Sequence, residues 1–304
     1  MRAVRIHAKA GPDALVVEEA PYPHTAENDV VVRVHAAGFT PGELDWPSTW
    51  KDRAGRDRGP VIPGHEVSGE VAELGMGTTG LTVGQRVFGL TDWARDGTLA
   101  EYVGVEARNL APLPACIGHI RGAALPMPGL TAWQALFDHA SLRPGQTVLV
   151  HGAGGAVGDL AVQLAREVGA RVIGTGRERD RAAVLEAGAE HFAALDAERF
   201  EEVAGQVDVV LDLIGGDVLE RSAAVVRPGG TLVSVTAPPN VRPANGRAVY
   251  FVVESNRDQL AELARRVQLG RLTPKVGAVR PLAETRDAFL RKQDTPGKTI
   301  IQVA

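Results

Sequence analysis

The chain has 304 residues, more than one small core organises, so two domains are the natural expectation. A net charge of −4 and a pI of about 6.1 leave no electrostatic footprint for nucleic acid or for an anionic membrane. The single cysteine, Cys116, excludes an intrachain disulfide and a four-cysteine structural zinc.

The opening "MRAVRIHAKAGPDAL" has no apolar core of signal-peptide type, and no window approaches the roughly 18 apolar residues of a membrane span, so the cytoplasm is the expected compartment. The first 110 residues read as short strands broken by turns. "DVVVRVHAAGF" (Asp29–Phe39) alternates apolar with small or polar residues, and "HEVSGEVAELG", "GQRVFGL" and "LAEYVGVEA" are further short β runs. This pattern predicts an irregular, mostly antiparallel β domain. The character changes near Pro112–Pro114. "GHIRGAALPMPGLTAWQALFDHA" reads as helix, a Pro/Gly break, then helix. From Gln146 strands and helices alternate: "TVLVHGA", "VGDLAVQLAREVGA", "RVIGTG", "RERDRAAVLEAGA", "VDVVLDLIGG", "DVLERSAAVVRPGG", "GGTLVSVTAP", "AVYFVV". Alternation over 113–253 predicts an α/β fold, a doubly wound parallel sheet of Rossmann type. "NRDQLAELARRVQLGRL" is an amphipathic helix, and the chain closes with the helix "ETRDAFLRKQ" and the strand "GKTIIQVA".

"HGAGGAVGDLAVQLA" follows an apolar strand and opens a helix. Read as Ala153-x-Gly155-x-x-Gly158, with Val157 inside it, the loop matches a dinucleotide fingerprint with alanine in the first glycine's place. Gly155 lets the backbone approach a pyrophosphate, Gly158 lets helix and strand pack closely, and the helix N-terminus favours the negative charge. The bland alternative is a glycine-rich turn without a ligand. The next strand ends Thr175-Gly176-Arg177-Glu178-Arg179, without the acid that accepts from the 2′-hydroxyl of NAD. Arg177 and Arg179 are suited to a 2′-phosphate, which predicts NADP(H) as cofactor; the alternative is a solvated helix start.

These motifs, with "AAGFTPGELDW", "PGHEVSGEV", "GTLAEYV", "LPMPGLTAWQAL", "DLIGG", "RPGGTLVSV" and "GKTIIQV", resemble the medium-chain dehydrogenase/reductases, specifically their zinc-independent quinone oxidoreductase branch, which includes the ζ-crystallin-like proteins. The resemblance implies a GroES-like β domain from both ends of the chain (1–112 and 254–304), a Rossmann NADP-binding domain (113–253), an active site in the cleft between them, and a homodimer. In the zinc enzymes of this family, the catalytic ion takes two cysteines and the histidine of Gly-His-Glu. The cysteine positions here hold Thr40 and Met127, leaving only His65, so no catalytic metal is expected. Cys116 reads as a small packed residue.

Without a Lewis acid, the chemistry suits acceptors that take hydride readily: a quinone or an α,β-unsaturated carbonyl. By motif position Thr40 lies close to the reacting groups, Met127 and Thr131 border the cleft, and Trp46 and Trp50 stand in the loop after Thr40 where they can stack on a planar acceptor; core or loop packing is the alternative for the aromatics. Tyr250 and Phe251 follow as packing residues near the cofactor, and the resemblance adds Thr236, Ala237 and Lys298 as cofactor contacts. His65 has two readings: a loop histidine bonded to Glu66 or to backbone, or a group that orients substrate or passes a proton. The expected reaction is NADPH-dependent reduction of a small quinone or enone. A pathway-specific enoyl or ketone reductase and a non-catalytic NADPH-binding sensor stand as alternatives.

Overall fold

In the computed structural model, which describes residues 1–291 and 296–304, the chain divides into two units: Met1–Met127 with Ser255–Leu269 and Lys275–Ala304, and Pro128–Glu254 with Gly270–Pro274. The first opens with an antiparallel ribbon of β1 (Arg2–Arg5) and β2 (Val16–Glu19). There follow β3 (Asp29–Gly38), the single turn α1 (Pro47–Trp50), β4 (Glu66–Leu74), β5 (Arg86–Leu90), β6 (Tyr102–Glu106), β7 (Leu110–Pro112) and the short helix α2 (His119–Ala123). The chain reaches the second unit at Met127/Pro128, not at Pro112. The reason is packing: α2 lies on β3 and β4, with Ala123 and Ala124 buried against Ala36 and Ile300.

The helix break also sits earlier than its sequence pattern implied. Pro126 and Pro128 do not interrupt a helix; both lie in the first turn of α3 (Pro126–Trp133). The first turn has no intrahelical use for their missing N–H groups, so proline is tolerated there. The helix runs on as a π turn over Gln134–His139. Cys116 is exposed, and neighbouring Ile117 takes the buried position expected of it.

The second unit holds β8 (Thr147–His151), α4 (Ala156–Glu167), β9 (Arg171–Gly176), α5 (Arg181–Ala187), β10 (His191–Ala194), α6 (Phe200–Ala204), β11 (Val207–Asp212), α7 (Gly216–Ser222), β12 (Val226–Ser234) and β13 (Arg247–Tyr250). All six strands are parallel, in the order β10-β9-β8-β11-β12-β13. Numbered within the unit, that is 3-2-1-4-5-6, the dinucleotide-binding order, whose switch point lies at the carboxyl ends of β8 and β11. Every residue of β8 is buried, as a central strand covered on both faces requires. The last strand is shorter than "AVYFVV" predicted, because pairing with β12 ends at Tyr250.

The chain returns to the first unit through α8 (Arg257–Gln268), β14 (Val276–Pro281), α9 (Thr285–Leu290) and β15 (Lys298–Gln302). The end of the expected "ETRDAFLRKQ" helix lies outside the described residues. The sheet of this unit has seven strands in the order β14-β15-β3-β4-β5-β7, with β6 also pairing β3. Among the described residues of this sheet, only β14 and β15 pair in parallel. The core beneath it gathers Val30, Val32, Val34, Phe39, Val67, Leu99 and Val103, and stacks Phe39 on Phe289 of α9 at 3.9 Å between ring centroids. The N-terminal and C-terminal segments therefore share one core.

Candidate active site

The loop before β4 is built around Gly64. Its φ of +89° is left-handed, and an added Cβ would lie 2.6 Å from Thr98 Oγ1, so both conformation and space demand glycine. The Gly64 N–H donates to Glu43 Oε1 at 2.6 Å. Glu43 stands in a short 3-10 turn after β3 and is wholly buried. Its Oε2 accepts from the Thr40 N–H at 2.9 Å and lies 3.5 Å from His65 Nδ1.

His65 is only 3% exposed. Trp93 and Trp46 flank its ring at 4.8 and 5.7 Å, and the two indoles meet edge to face at 5.6 Å. His65 Nδ1 and the hydroxyls of Thr91 and Thr98 are all buried without a hydrogen-bond partner. The backbones of these two threonines donate to the carbonyls of His65 and Gly64 at 2.9 and 3.0 Å. Orphaned buried polar atoms are uncommon in a folded chain, and three of them lie on this one pair of adjoining loops.

Glu66, the partner expected for His65, is engaged elsewhere. Its Oε1 accepts from the Met127 N–H at 3.2 Å, and its Oε2 forms an ion pair with Lys298. Both side chains are buried. Burial pushes the Glu66 carboxyl above the usual carboxylate range, while Lys298 and the Met127 N–H pull against it. Lys298, expected at the cofactor, is thus placed on β15 of the first unit as the counter-charge beneath the histidine loop. Gly38 opposite makes this possible, since a Cβ there would fall 2.5 Å from Glu66 Oε2.

In the second unit, Gly152 makes the tight turn after β8 with φ +74°, a role expected at the motif's first position. Ala153 fits there because Gly174 on β9 leaves room; a Cβ on Gly174 would lie 3.0 Å from that of Ala153. Gly155 is the N-cap of α4 and offers no side-chain cap, so the helix N-terminus keeps its free N–H groups beside Val157. Gly158 packs α4 onto the loop: a Cβ there would sit 2.3 Å from the Gly152 carbonyl oxygen.

Thr175 points inward, its Oγ1 2.9 Å from His151 Nδ1, and His151 Nε2 lies 3.0 Å from Ser222 Oγ. Ser222 Oγ donates to the Val218 carbonyl at 2.6 Å, so it accepts from His151; the imidazole carries its proton on Nε2 and accepts from Thr175. Burial, with Arg221 nearby, lowers the His151 pKa to about 4, keeping it neutral. With Thr175 turned in, β9 ends at the buried Gly176, and Arg177 follows it as the first residue of the next turn. Arg177 is exposed and forms no ion pair among the described residues; Arg179 is exposed on the same turn. Asp180 folds back over the glycine loop, so that a Cβ on Gly154 would meet its Cγ at 2.5 Å. Two buried groups missed by sequence reasoning, Asp212 and Ser234, fix the next two turns. Asp212 Oδ1 accepts from the N–H groups of Ile214 and Gly215, and Oδ2 accepts from Ser234 Oγ at 2.8 Å and Thr236 Oγ1 at 3.0 Å. Thr236 and Ala237 are exposed beyond that anchor. Tyr250 ends β13 and is 42% exposed, while Phe251 is buried against the His139 ring at 4.4 Å. Thr131 is buried on α3.

Residues 26–115 match the family model of the alcohol dehydrogenase GroES-like domain, and residues 187–301 match that of the zinc-binding dehydrogenases. The chain is 29% identical to a quinone oxidoreductase of Pongo abelii, covering 99% of this chain and 97% of the relative. It is 31% identical to a 2-methylene-furan-3-one reductase of Solanum lycopersicum, covering 92% of this chain and 73% of the relative. The structure of a quinone oxidoreductase from Coxiella burnetii superimposes with a TM-score of 0.91 at 28% identity, covering 100% of this chain and 99% of that one. The chain belongs to the medium-chain dehydrogenase/reductase family, in its quinone oxidoreductase branch.

As a member of this family, it joins a GroES-like domain to a Rossmann-like parallel sheet. The zinc of the family model's description finds a poor donor set here. Among the described residues, the one cluster of three His, Cys, Asp or Glu side chains close enough to share an ion is His35, Glu70 and His119, which excludes His65. The family's remaining ligand positions, Thr40 and Met127, supply a hydroxyl and a thioether, neither of which holds Zn²⁺ well. A nicotinamide dinucleotide, by contrast, suits the glycine loop: the uncapped end of α4 is complementary to its phosphates. Trp93 is one site residue the sequence reading passed over, and Glu43 is another. It stood in the quoted "AAGFTPGELDW", three residues after Thr40, and only the return of the chain at Gly64 shows its use.

Proposed function

We propose that this family member is an NADPH-dependent oxidoreductase that passes hydride to a small quinone or α,β-unsaturated carbonyl without zinc, acting in the cytoplasm. The observation that carries the proposal is the buried His65: an imidazole between two tryptophans, backed by the Glu43 carboxylate and, among the described residues, lacking companion metal ligands. When bound, the reduced nicotinamide supplies the hydride. The α4 N-terminus binds the pyrophosphate, and Arg177, with Arg179, binds the 2′-phosphate. Thr236, held by Asp212, and Ala237 line the same carboxyl end of the sheet. Trp46 and Trp93 stack a planar acceptor and keep water from it. The Glu43 carboxylate, 3.5 Å from Nδ1, acts on the imidazole by charge, and His65 delivers a proton from Nε2 to the acceptor oxygen as negative charge arrives there. Thr40, whose N–H donates to Glu43, adjoins this group through its backbone. Two copies pair along the open edge of β13, where Tyr250 is 42% and Val252 58% exposed.

A second reading concerns the cofactor. Asp180 brings a carboxylate against the glycine loop, and that charge opposes a 2′-phosphate. On this reading NADH serves as well as NADPH. The printed name of the tomato relative favours the enone arm of the substrate proposal, and that of the Pongo abelii relative the quinone arm. The test is cofactor oxidation followed at 340 nm with a small quinone and a 2-alkenal in parallel, using NADPH and NADH. Turnover preferring NADPH supports the proposal, and the faster acceptor identifies the chemistry. NADH preference removes the role given to Arg177 and Arg179. Tight binding without turnover of either acceptor would replace the enzyme reading with a specialised or non-catalytic one.

A further inference from the structure

The described residues bring two histidines and a carboxylate together at a second place, on the sheet face covered by α2. Strand β3 departs from regular register with β4 between Val34 and Ala36, and His35 is the extra residue of that bulge. A bulge re-aims a side chain, and the C-terminal segment pins this one: the Val303 N–H donates to the His35 carbonyl at 3.0 Å. Glu70 projects from β4 with an oxygen 3.7 Å from His35 Nε2. His119, the first residue of α2, stacks its ring on His35 at 4.3 Å and 13°. One ligand atom from each of the three residues lies within 4.8 Å of the others. His35 Nε2 is buried and has no hydrogen-bond partner. A buried ring nitrogen left without a partner, 3.7 Å from a carboxylate oxygen, makes a pair that a shared cation would satisfy.

We propose that His35, Glu70 and His119 form a site for a divalent transition-metal ion of the Zn²⁺ class, separate from His65. Two imidazoles and one carboxylate with an open fourth position are a ligand set that Zn²⁺ accepts, whereas Mg²⁺ and Ca²⁺ prefer all-oxygen sites. Metal–ligand bonds of about 2.0–2.1 Å place tetrahedral donors about 3.3 Å apart, so the present cluster closes by roughly 1.5 Å on binding. The rings are nearly parallel, and an ion in the plane of both requires one to turn; His35, with its free Nε2, is the ring that turns about Cβ–Cγ.

The neighbouring groups allow this. Ser68 Oγ lies 2.9 Å from His119 Nδ1 and holds that ring in place while Nε2 takes the ion. Arg86 is the group the ion must displace: its Nε donates to that Nε2 at 3.3 Å, a long contact, and its bonds to the carbonyls of Pro114 and Ile117 at 3.1 and 2.6 Å are given up with it when the guanidinium swings away. Arg33, bonded to Glu70 at 2.7 Å, has a half-exposed side chain and moves into solvent at small cost. The ion would tie β3, β4 and α2 together, so its binding stabilises the first unit.

The experiment titrates the chelator-treated full chain with Co²⁺, whose visible bands report nitrogen and oxygen ligation, then displaces it with Zn²⁺, and measures melting with and without Zn²⁺. One ion per chain is expected, with a rise in Tm. His35→Gln and His119→Gln should each weaken binding by about tenfold or more, the loss that even an outer-shell change gives, and abolish the Tm rise. His65→Gln should leave binding unaltered. Absence of saturable Co²⁺ bands, undiminished binding in His35→Gln, or loss of binding in His65→Gln alone would each overturn the proposal. Should a histidine variant fail to fold, Glu70→Gln answers the same question, since a carboxylate ligand lost there weakens binding and a bystander lost there does not.

Discussion

His151 links the base of the glycine loop to pH. Its imidazole is wholly buried, packs edge-on to Phe200 at 4.7 Å, and exchanges hydrogen bonds with Thr175 and Ser222 that suit only the neutral ring. Burial lowers its pKa from 6.5 to about 4 in the folded chain. Because the unfolded chain binds this proton first, folding stability is full above pH 6.5, declines as pH falls from there through about 4, and levels off below. The difference between 6.5 and about 4 corresponds to about 3 kcal/mol, at 1.36 kcal/mol per pH unit. His151→Asn removes the titration. Urea unfolding of the two proteins over pH 4–7.5 should therefore show the stability of the parent approaching that of the variant by about 3 kcal/mol toward the acid end. Carboxylates titrate equally in both proteins and cancel in the difference. Parallel curves would refute the neutral, buried tautomer and with it the reason given for the inward turn of Thr175.

Glu43→Gln should lower kcat about tenfold while leaving the KM for NADPH unchanged, since the amide no longer orients His65 by charge. Glu43→Ala should in addition destabilise the chain by about 2–4 kcal/mol in urea melts, because the Thr40 and Gly64 N–H groups lose their acceptor. Arg177→Ala should raise the KM for NADPH by about tenfold or more without altering that for NADH, the loss of one charge-assisted contact to the 2′-phosphate. Asp180→Asn should shift the same ratio the opposite way, toward NADPH, and steady-state kinetics with both cofactors checks the pair. Gly64→Ala should cost roughly 1–3 kcal/mol and reduce turnover, since φ +89° and the Thr98 hydroxyl both reject a Cβ; Gly205→Ala, with open space around it, is the comparison for strain alone.

The doubly wound sheet was legible because its signals are local: an unbroken apolar β8, a glycine loop, then a helix with apolar residues at helical spacing. The glycine loop was legible for the same reason, although the turn itself proved to depend on Gly152. What escaped was set by returns of the chain. Glu43 gains its meaning from Gly64 and His65, Lys298 from Glu66, and Trp93 from Trp46, pairs brought together by long-range returns of the chain that no periodicity reveals. Thr175 and Asp180 show the complementary limit: which residue near the end of β9 faces outward depends on an inward hydrogen bond to His151 and on a side chain folded back over Gly154. The prolines of α3 misled because their helical position, not their presence, decides whether they break a helix.

The most direct test of metal-free hydride transfer is the rate of NADPH oxidation by the chelator-treated chain, measured before and after Zn²⁺ is restored, in the parent and in His35→Gln. Full turnover after chelation in both proteins is predicted, with Zn²⁺ altering the melting of the parent only. Activity that vanishes on chelation and returns with Zn²⁺ in both proteins would place a catalytic ion at His65 and contradict the proposed mechanism.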